Sequence, residues 1–131
     1  MALRAAKDSI DLGIFVSDIK KSLEFYQGIL GLEKTEELQT GFGTLHRLKY
    51  GTSDIKLMDP KKVPPAGAIG LEKQLGIRYI TFVIKGLTEL CAELKGKGVE
   101  FTIPETQIRP GTRIAMVKDP DGNILEFVER G

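Results

Sequence analysis

The chain has 131 residues, of which 41% are hydrophobic and 28% charged, and its formal net charge at pH 7 is +1. A chain of this length can bury a real core, and its hydrophobic content argues against disorder. The balanced charge argues against nucleic-acid binding. The lack of a long apolar run or a signal-peptide apolar region argues against a membrane partner, so we expect a cytoplasmic protein.

The first predicted elements are a strand and a helix. Ile10–Val16 is an apolar-rich run with β-branched residues, which is typical of a strand. Either Ser17 or Asp18 can then accept hydrogen bonds from the free N–H groups at the start of a helix. Apolar side chains recur at three- to four-residue spacing up to Leu30, which predicts an amphipathic helix capped by Gly31.

Three strands and a linker follow the helix. The β-type runs lie near Leu32–Gln39, Thr44–Tyr50 and Ser53–Met58, and glycines separate them, which predicts a meander. Residues 59–76 contain prolines, which remove N–H donors and fix φ. We interpret this stretch as a linker with a helical turn near Leu71–Leu75.

The order of elements then begins again, which indicates an internal repeat. A strand is predicted at Ile77–Ile84, a helix at Leu87–Lys97, and strands at Val99–Ile103, Arg113–Lys118 and Ile124–Val128. The pattern is βαβββ twice, so we predict an α+β fold of two modules that form curved mixed sheets around a cleft, with the helices outside. Residues 1–131 would form a single domain, with module 1 at about 9–58, the linker at 59–76 and module 2 at about 77–129.

The last predicted hairpin contains the most informative carboxylate. Its turn is Asp119-Pro120-Asp121-Gly122, in which the proline presets φ and the glycine accepts the positive φ of a tight return. Alternation along the following strand places Ile124 and Val128 on the same face as Glu126. A carboxylate with apolar neighbours needs a partner, unless Glu126 is an ordinary exposed strand residue.

Two stretches carry a family resemblance. The first begins at Asp11 and reads DLGIFVSDIKKSLEFY, followed by GILGL, and the second runs from Val117 to Glu126 and reads VKDPDGNILE. With the repeat, they resemble the vicinal oxygen chelate superfamily, which includes glyoxalase I, extradiol dioxygenases and bleomycin-resistance proteins. The resemblance implies the two-module fold, a small-molecule cleft and assembly as a homodimer.

Metal-dependent members of that superfamily take four ligands from the first and last strands of the two modules. The resemblance maps those places onto Asp11, Lys56, Tyr79 and Glu126. A lysine ammonium has no lone pair for a metal, and a neutral tyrosine hydroxyl is a weak ligand. We therefore predict no bound divalent metal, with Lys56 forming charge-assisted hydrogen bonds to Glu126 or Asp11 in place of the ion. The alternative is a buried salt bridge without chemistry.

These four residues are the candidate catalytic set. In the favoured interpretation Glu126 is a general base, Lys56 and Tyr79 steady an oxyanion, and the reaction is a metal-independent lyase- or isomerase-type proton transfer on a small polar molecule. One alternative is a non-catalytic protein that sequesters a ligand, as bleomycin-resistance proteins do. A second alternative is metal-dependent glyoxalase or dioxygenase chemistry.

Two further residues are candidate substrate-binding groups. His46 is the single histidine of the sequence and could supply an acid–base group, although a packing histidine is the alternative. Arg113 could clamp a carboxylate or phosphate, although a solvated arginine is the commoner outcome. Cys91 falls at an apolar position of the second predicted helix and is interpreted as a core residue rather than a nucleophile.

Overall fold

The computed structural model describes residues 2–68 and 70–131. The chain divides into two units, one ending at Pro64 and the other starting at Pro65. The described residues of the first unit form β1 (Leu12–Phe15), α1 (Ile19–Leu23) with a π-helical continuation (Glu24–Ile29), β2 (Glu33–Gln39), β3 (Gly43–Tyr50) and β4 (Ser53–Pro60). Those of the second form β5 (Ile80–Val83), α2 (Leu87–Gly96), β6 (Phe101–Arg109), β7 (Thr112–Lys118) and β8 (Ile124–Arg130).

The strand order is equivalent in the two units. The first sheet has the order β1-β4-β3-β2 and the second has the order β5-β8-β7-β6. The pairs β1/β4 and β5/β8 are parallel, and the other pairs are antiparallel. Each sheet is therefore mixed, and the predicted α+β fold with two βαβββ modules is confirmed. The single-domain assignment and the module limits stay predictions.

Local signals explain several element ends. The Asp18 carboxylate accepts hydrogen bonds from the backbone N–H groups of Lys20 and Lys21, at 3.1 and 3.2 Å, and so caps α1 as predicted. Gly31 has a φ of 77° and ends the helical segment, as expected for a left-handed cap. The predicted hairpin turn is present between β7 and β8, where the Asp119 backbone N–H donates to the Asn123 carbonyl oxygen at 2.9 Å.

Other elements differ from the sequence expectation. β6 continues through Pro104 to Arg109 instead of ending at Ile103, because it is the edge strand of its sheet and its register shifts there. β4 extends to Pro60, which pairs with Gly43; a Cβ on Gly43 would collide with the Asp59 carbonyl oxygen. The stretch near Leu71–Leu75 forms turns and bends without a helix.

The two faces of the first sheet have different surroundings. One face buries Leu48, Ile55 and Leu57, and α1 lies against β4, so we call it the packed face. The opposite face, called the open face, presents two rows of residues in register across the four strands. One row is charged apart from its glycine and consists of Gly13, Lys56, Arg47 and Glu36. The other row is apolar and consists of Phe15, Met58, Leu45 and Leu38.

The second sheet carries buried residues on both faces. Phe82, Leu125 and Phe127 are buried on one face. The opposite face carries a buried cluster, called the Met116 cluster, against which Leu71 and Ile103 pack; its members are Ile114, Met116, Ile124 and Val128. No helix in the described ranges is long and apolar enough to cross a bilayer.

Candidate functional site

Glu126 lies on the face of the second sheet that carries the Met116 cluster. It alternates with the buried residues Ile124 and Val128 along β8 and pairs across the sheet with Met116 and Thr81. The Thr81 hydroxyl donates a hydrogen bond to Glu126 Oε1 at 2.8 Å. The expectation that this carboxylate needs a partner is met by a residue that the sequence interpretation missed. The signal was present, because Thr81 lies two residues beyond Tyr79 in the predicted strand Ile77–Ile84 and alternation places both on one face.

The segment before β5 contributes Tyr79 and a covering residue. Tyr79 is 37% exposed, and the Arg78 guanidinium carbon lies 5.7 Å from the centroid of its ring. Arg78 Nε donates to the Leu71 carbonyl oxygen at 2.7 Å, and Leu71 packs against the Met116 cluster. The Tyr79 ring therefore has a cation–π contact with Arg78. The segment around Leu71, to which Arg78 is hydrogen-bonded, partly covers the sheet face that carries Glu126.

Asp11 has partners within the first unit. Its Oδ1 accepts hydrogen bonds from Lys7 Nζ at 2.6 Å and from the Asp54 backbone N–H at 2.8 Å. The bond from Lys7 and the bond from the Asp54 amide hold the pKa of Asp11 below its ordinary value, and Lys56 acts on it only through a longer-range attraction. The ammonium that contacts Asp11 is therefore Lys7 rather than Lys56.

Lys56 occupies the centre of the open face of the first sheet. It lies between Gly13 on β1 and Arg47 on β3. Arg47 is engaged with two carboxylates, Glu36 and Asp54, each at 2.9 Å. Within the described part of the chain, no hydrogen bond or ion pair reaches Lys56. Its ammonium therefore remains available for a ligand.

The structure brings the candidate catalytic residues together in two groups. Asp11 and Lys56 belong to the first unit, where both are on or next to the open face. Tyr79 and Glu126 belong to the second unit, together with Thr81. The prediction that all four form one site stays a prediction.

The donor set does not suit a divalent metal. Asp11 is already neutralised by an ammonium, Lys56 is itself a cation, and Glu126 receives a hydroxyl hydrogen bond. In residues 2–68 and 70–131, no group of three or more His, Cys, Asp or Glu side chains is placed to hold a metal ion. A metal that is often used in glyoxalase-type proteins would find poor ligands in each of the two groups.

His46 lies on the packed face of the first sheet, in register with Leu57. His46 is only 7% exposed. Glu37 Oε1 lies 3.4 Å from His46 Nδ1 without forming a hydrogen bond. Burial, aided by the charge of Lys34, lowers the pKa of His46 despite the opposing carboxylates of Glu37 and Asp59. The position agrees with the packing histidine that the sequence analysis gave as the alternative. A ligand-binding role for His46 stays a prediction.

A pH dependence of stability follows from His46. Because its pKa is lowered in the folded state, the unfolded chain binds the proton more readily. The contribution of His46 is therefore complete above the ordinary pKa of 6.5, declines as the pH falls below that value and is lost once the pH has passed the folded pKa. Urea unfolding between pH 7.5 and pH 5, in steps of about half a unit, should show a decline in the wild-type free energy of unfolding that His46→Gln flattens. An equal decline in both proteins would contradict the assignment.

Arg113 lies on the α2 side of the second sheet. Its guanidinium pairs with Glu105 and, at 2.8 Å, with Glu129, and it donates to the Thr88 hydroxyl at 2.8 Å. Glu129 in turn accepts the backbone N–H groups of Gly86 and Leu87, which lower the pKa of its carboxyl. Arg113 is therefore committed to a network at the start of α2, and its substrate-binding role stays a prediction.

Cys91 is buried on α2, in agreement with its interpretation as a core residue. Burial raises the pKa of its thiol, with Glu105 acting in the same direction. A raised pKa reduces the thiolate fraction at neutral pH. Cys91 therefore has the character of a packing residue rather than a nucleophile.

Comparison with known proteins gives one consistent set of relatives. The family model described as Glyoxalase/Bleomycin resistance protein/Dioxygenase superfamily matches residues 9–127. A protein of Vibrio cholerae serotype O1 (strain ATCC 39315 / El Tor Inaba N16961) named probable lactoylglutathione lyase is 30% identical over 118 residues, which cover 87% of this chain and 84% of the relative.

Solved structures give the same result. The crystal structure of SMU.1112c is similar with a TM-score of 0.82 at 25% identity, over 95% of this chain and all of the other. A member of the Glyoxalase/bleomycin resistance protein/dioxygenase superfamily from Sphaerobacter thermophilus DSM 20745 is similar with a TM-score of 0.74 at 26% identity, over 96% and 100% of the two chains. The family model and the Sphaerobacter structure therefore name the same superfamily.

Proposed function

The chain belongs to the Glyoxalase/Bleomycin resistance protein/Dioxygenase superfamily, and from that premise we propose that it acts on a small polar molecule by metal-independent proton transfer, with Glu126 as the general base. The reaction would be of lyase or isomerase type. The observation that carries the proposal is the environment of Glu126, which has apolar neighbours on its own strand and a single hydroxyl donor.

The Glu126 carboxylate has the features of an available base. Thr81 binds Oε1, and in the part of the chain that the structure describes no hydrogen bond or ion pair reaches the other oxygen. One fixed hydrogen bond orients the group without neutralising it, and its free lone pairs can accept a proton.

The proposed step is removal of a proton from a carbon next to a carbonyl group. The C–H bond breaks, its electron pair forms an enolate, and Glu126 becomes a neutral carboxylic acid that can return the proton. The exposed hydroxyl of Tyr79 is the proposed donor to the oxyanion in the second unit. In the first unit, the ammonium of Lys56 is the proposed donor to a negative group of a ligand, and Asp11 holds the Lys7 ammonium at 2.6 Å. That Lys56 and Asp11 act on the same molecule as Glu126 stays a prediction.

The relatives support this proposal at the level of the reaction class. Relatives of about 28–30% identity are named lactoylglutathione lyase or probable lactoylglutathione lyase. A lyase-type proton transfer is compatible with that name, and the substrate is a separate question. Assembly as a homodimer and a cytoplasmic location stay predictions.

Deuterium incorporation tests the proposed function. The purified protein is incubated in D₂O with excess EDTA and, separately, with hydroxyacetone, pyruvate and 2-oxohexanoate, whose protons next to the carbonyl are followed by ¹H NMR. We expect at least one compound to exchange faster than in protein-free buffer. Binding of these compounds without faster exchange would replace the proposal with ligand sequestration, and exchange that appears only after Mn²⁺, Ni²⁺ or Zn²⁺ is added would replace it with metal-dependent chemistry.

A further inference from the structure

We propose that the open face of the first sheet binds a small molecule in which a carboxylate is joined to an apolar body of several carbons. The Lys56 ammonium donates hydrogen bonds to that carboxylate. This inference rests on the proposed small-molecule function and specifies the ligand class. It derives from three observations on the same face: an ammonium that no hydrogen bond or ion pair reaches among the described residues, an adjacent apolar row, and a glycine with open space beside it.

The charges on the open face are paired except at Lys56. Arg47 pairs with Glu36 and with Asp54, both at 2.9 Å. Asp11 pairs with Lys7 at 2.6 Å. Among the described residues, Lys56 alone in its row of charged side chains has no hydrogen bond and no ion pair. An ammonium of this kind, on the second of four strands, is complementary to an anion of the ligand rather than to a cation.

An apolar row runs beside that ammonium. Phe15 and Leu38 are 51% and 47% exposed at the two ends of the row, and Met58 and Leu45 lie half-buried between them. Each member lies two residues along its strand from the charged row, a spacing of roughly 7 Å. A molecule that places its anionic group at Lys56 therefore reaches this row with a body of several carbons.

Gly13 leaves room for the anionic group. It pairs with Lys56, and a Cβ built on Gly13 would meet no heavy atom within 4 Å. A side chain at this position would occupy the space beside the ammonium. With glycine there, a planar carboxylate can lie against the backbone next to Lys56.

Binding of matched probes tests the ligand class. Hexanoate has both the anion and the apolar body, hexanamide lacks the charge, and acetate lacks the body. Titrations followed by the backbone amide signals of residues 13–16 and 54–58 should show hexanoate binding about tenfold more tightly than either other probe. Equal binding of hexanoate and hexanamide would overturn the inference.

Variants assign the binding to Lys56. Lys56→Gln should weaken hexanoate about tenfold and leave hexanamide unchanged, whereas Lys56→Arg should retain most of the hexanoate affinity. Lys62→Gln, in the exposed linker, is the matched control and should change neither. Phe15→Ser should weaken both six-carbon probes, because it removes half-exposed apolar surface. Hexanoate affinity that is the same in wild type and Lys56→Gln would overturn the assignment, and thermal unfolding of each variant verifies that it is folded.

Failure of this inference and failure of the proposed function give different results. Hexanoate binding through Lys56 without any deuterium exchange would retain the ligand class and remove the catalytic role of Glu126. Exchange of hydroxyacetone and 2-oxohexanoate at equal rates, unaffected by Lys56→Gln, would retain the catalytic proposal and remove the anionic ligand class.

Discussion

Glu126→Gln is expected to slow deuterium incorporation by about 10²–10⁴-fold, the usual contribution of a general base, while the protein stays folded and binds its ligand. The amide has nearly the same shape as the carboxylate but cannot accept the proton. The Thr81 hydroxyl can still donate to the amide oxygen, so the local structure should persist. The measurement is the exchange rate at saturating ligand in D₂O, beside the dissociation constant of the same ligand.

Two further variants make that result specific. Glu33→Gln changes an exposed glutamate of β2 in the same chemical way and should leave the rate unchanged. Thr81→Val removes the hydroxyl that orients Glu126 and should lower the rate less than Glu126→Gln does, whereas Thr81→Ser should restore it. Exchange that Glu126→Gln leaves within about twofold of the wild type would show that another group is the base.

Lys56→Glu is expected to create affinity for a hard divalent cation in the first unit. Asp54 Oδ1 is buried without a hydrogen-bond partner among the described residues, and the Asp54 amide donates to Asp11, so two carboxylates already lie close together. The substitution adds a third carboxylate and removes a positive charge. Calorimetric titration with Mn²⁺ should show affinity at least about tenfold higher than in the wild type.

The comparison also tests which lysine excludes the ion. Lys62→Glu makes the same charge change in the exposed linker and should leave Mn²⁺ affinity near the wild-type value. Lys7→Ala frees Asp11 and should increase the affinity of Lys56→Glu further, because the Lys7 ammonium lies 2.6 Å from Asp11. Mn²⁺ binding as tight in the wild type as in Lys56→Glu would mean that the ligands lie elsewhere.

Local chemistry made most of the fold predictable. Asp18 and Gly31 mark the two ends of the first helical segment through their own side-chain and backbone properties. The turn at Asp119-Pro120-Asp121-Gly122 and the alternation after it define a hairpin without reference to the rest of the chain. The βαβββ order could therefore be predicted, whereas the extension of β6 depends on its place at the sheet edge, where Pro104 leaves no pairing unmet.

The site was less predictable because its partners come from distant positions. Alternation placed Glu126 among apolar neighbours, but pairing of β5 with β8 was needed to place the Thr81 hydroxyl on it. The family resemblance placed the Lys56 ammonium near Asp11, yet the ammonium that contacts Asp11 is that of Lys7. Lys7 precedes the first strand, where no periodicity fixes the direction of its side chain. Glu129 lies on β8 and caps the start of α2, and no local sequence pattern indicates this contact.

Metal analysis of the purified protein, paired with exchange rates before and after dialysis against EDTA, tests metal-independent proton transfer most directly. We expect sub-stoichiometric divalent metal and the same exchange rate on both sides of the dialysis, because Lys7 neutralises Asp11, Lys56 is itself a cation and Glu126 is the base. A stoichiometric ion whose removal abolishes exchange, and whose return restores it, would contradict this mechanism.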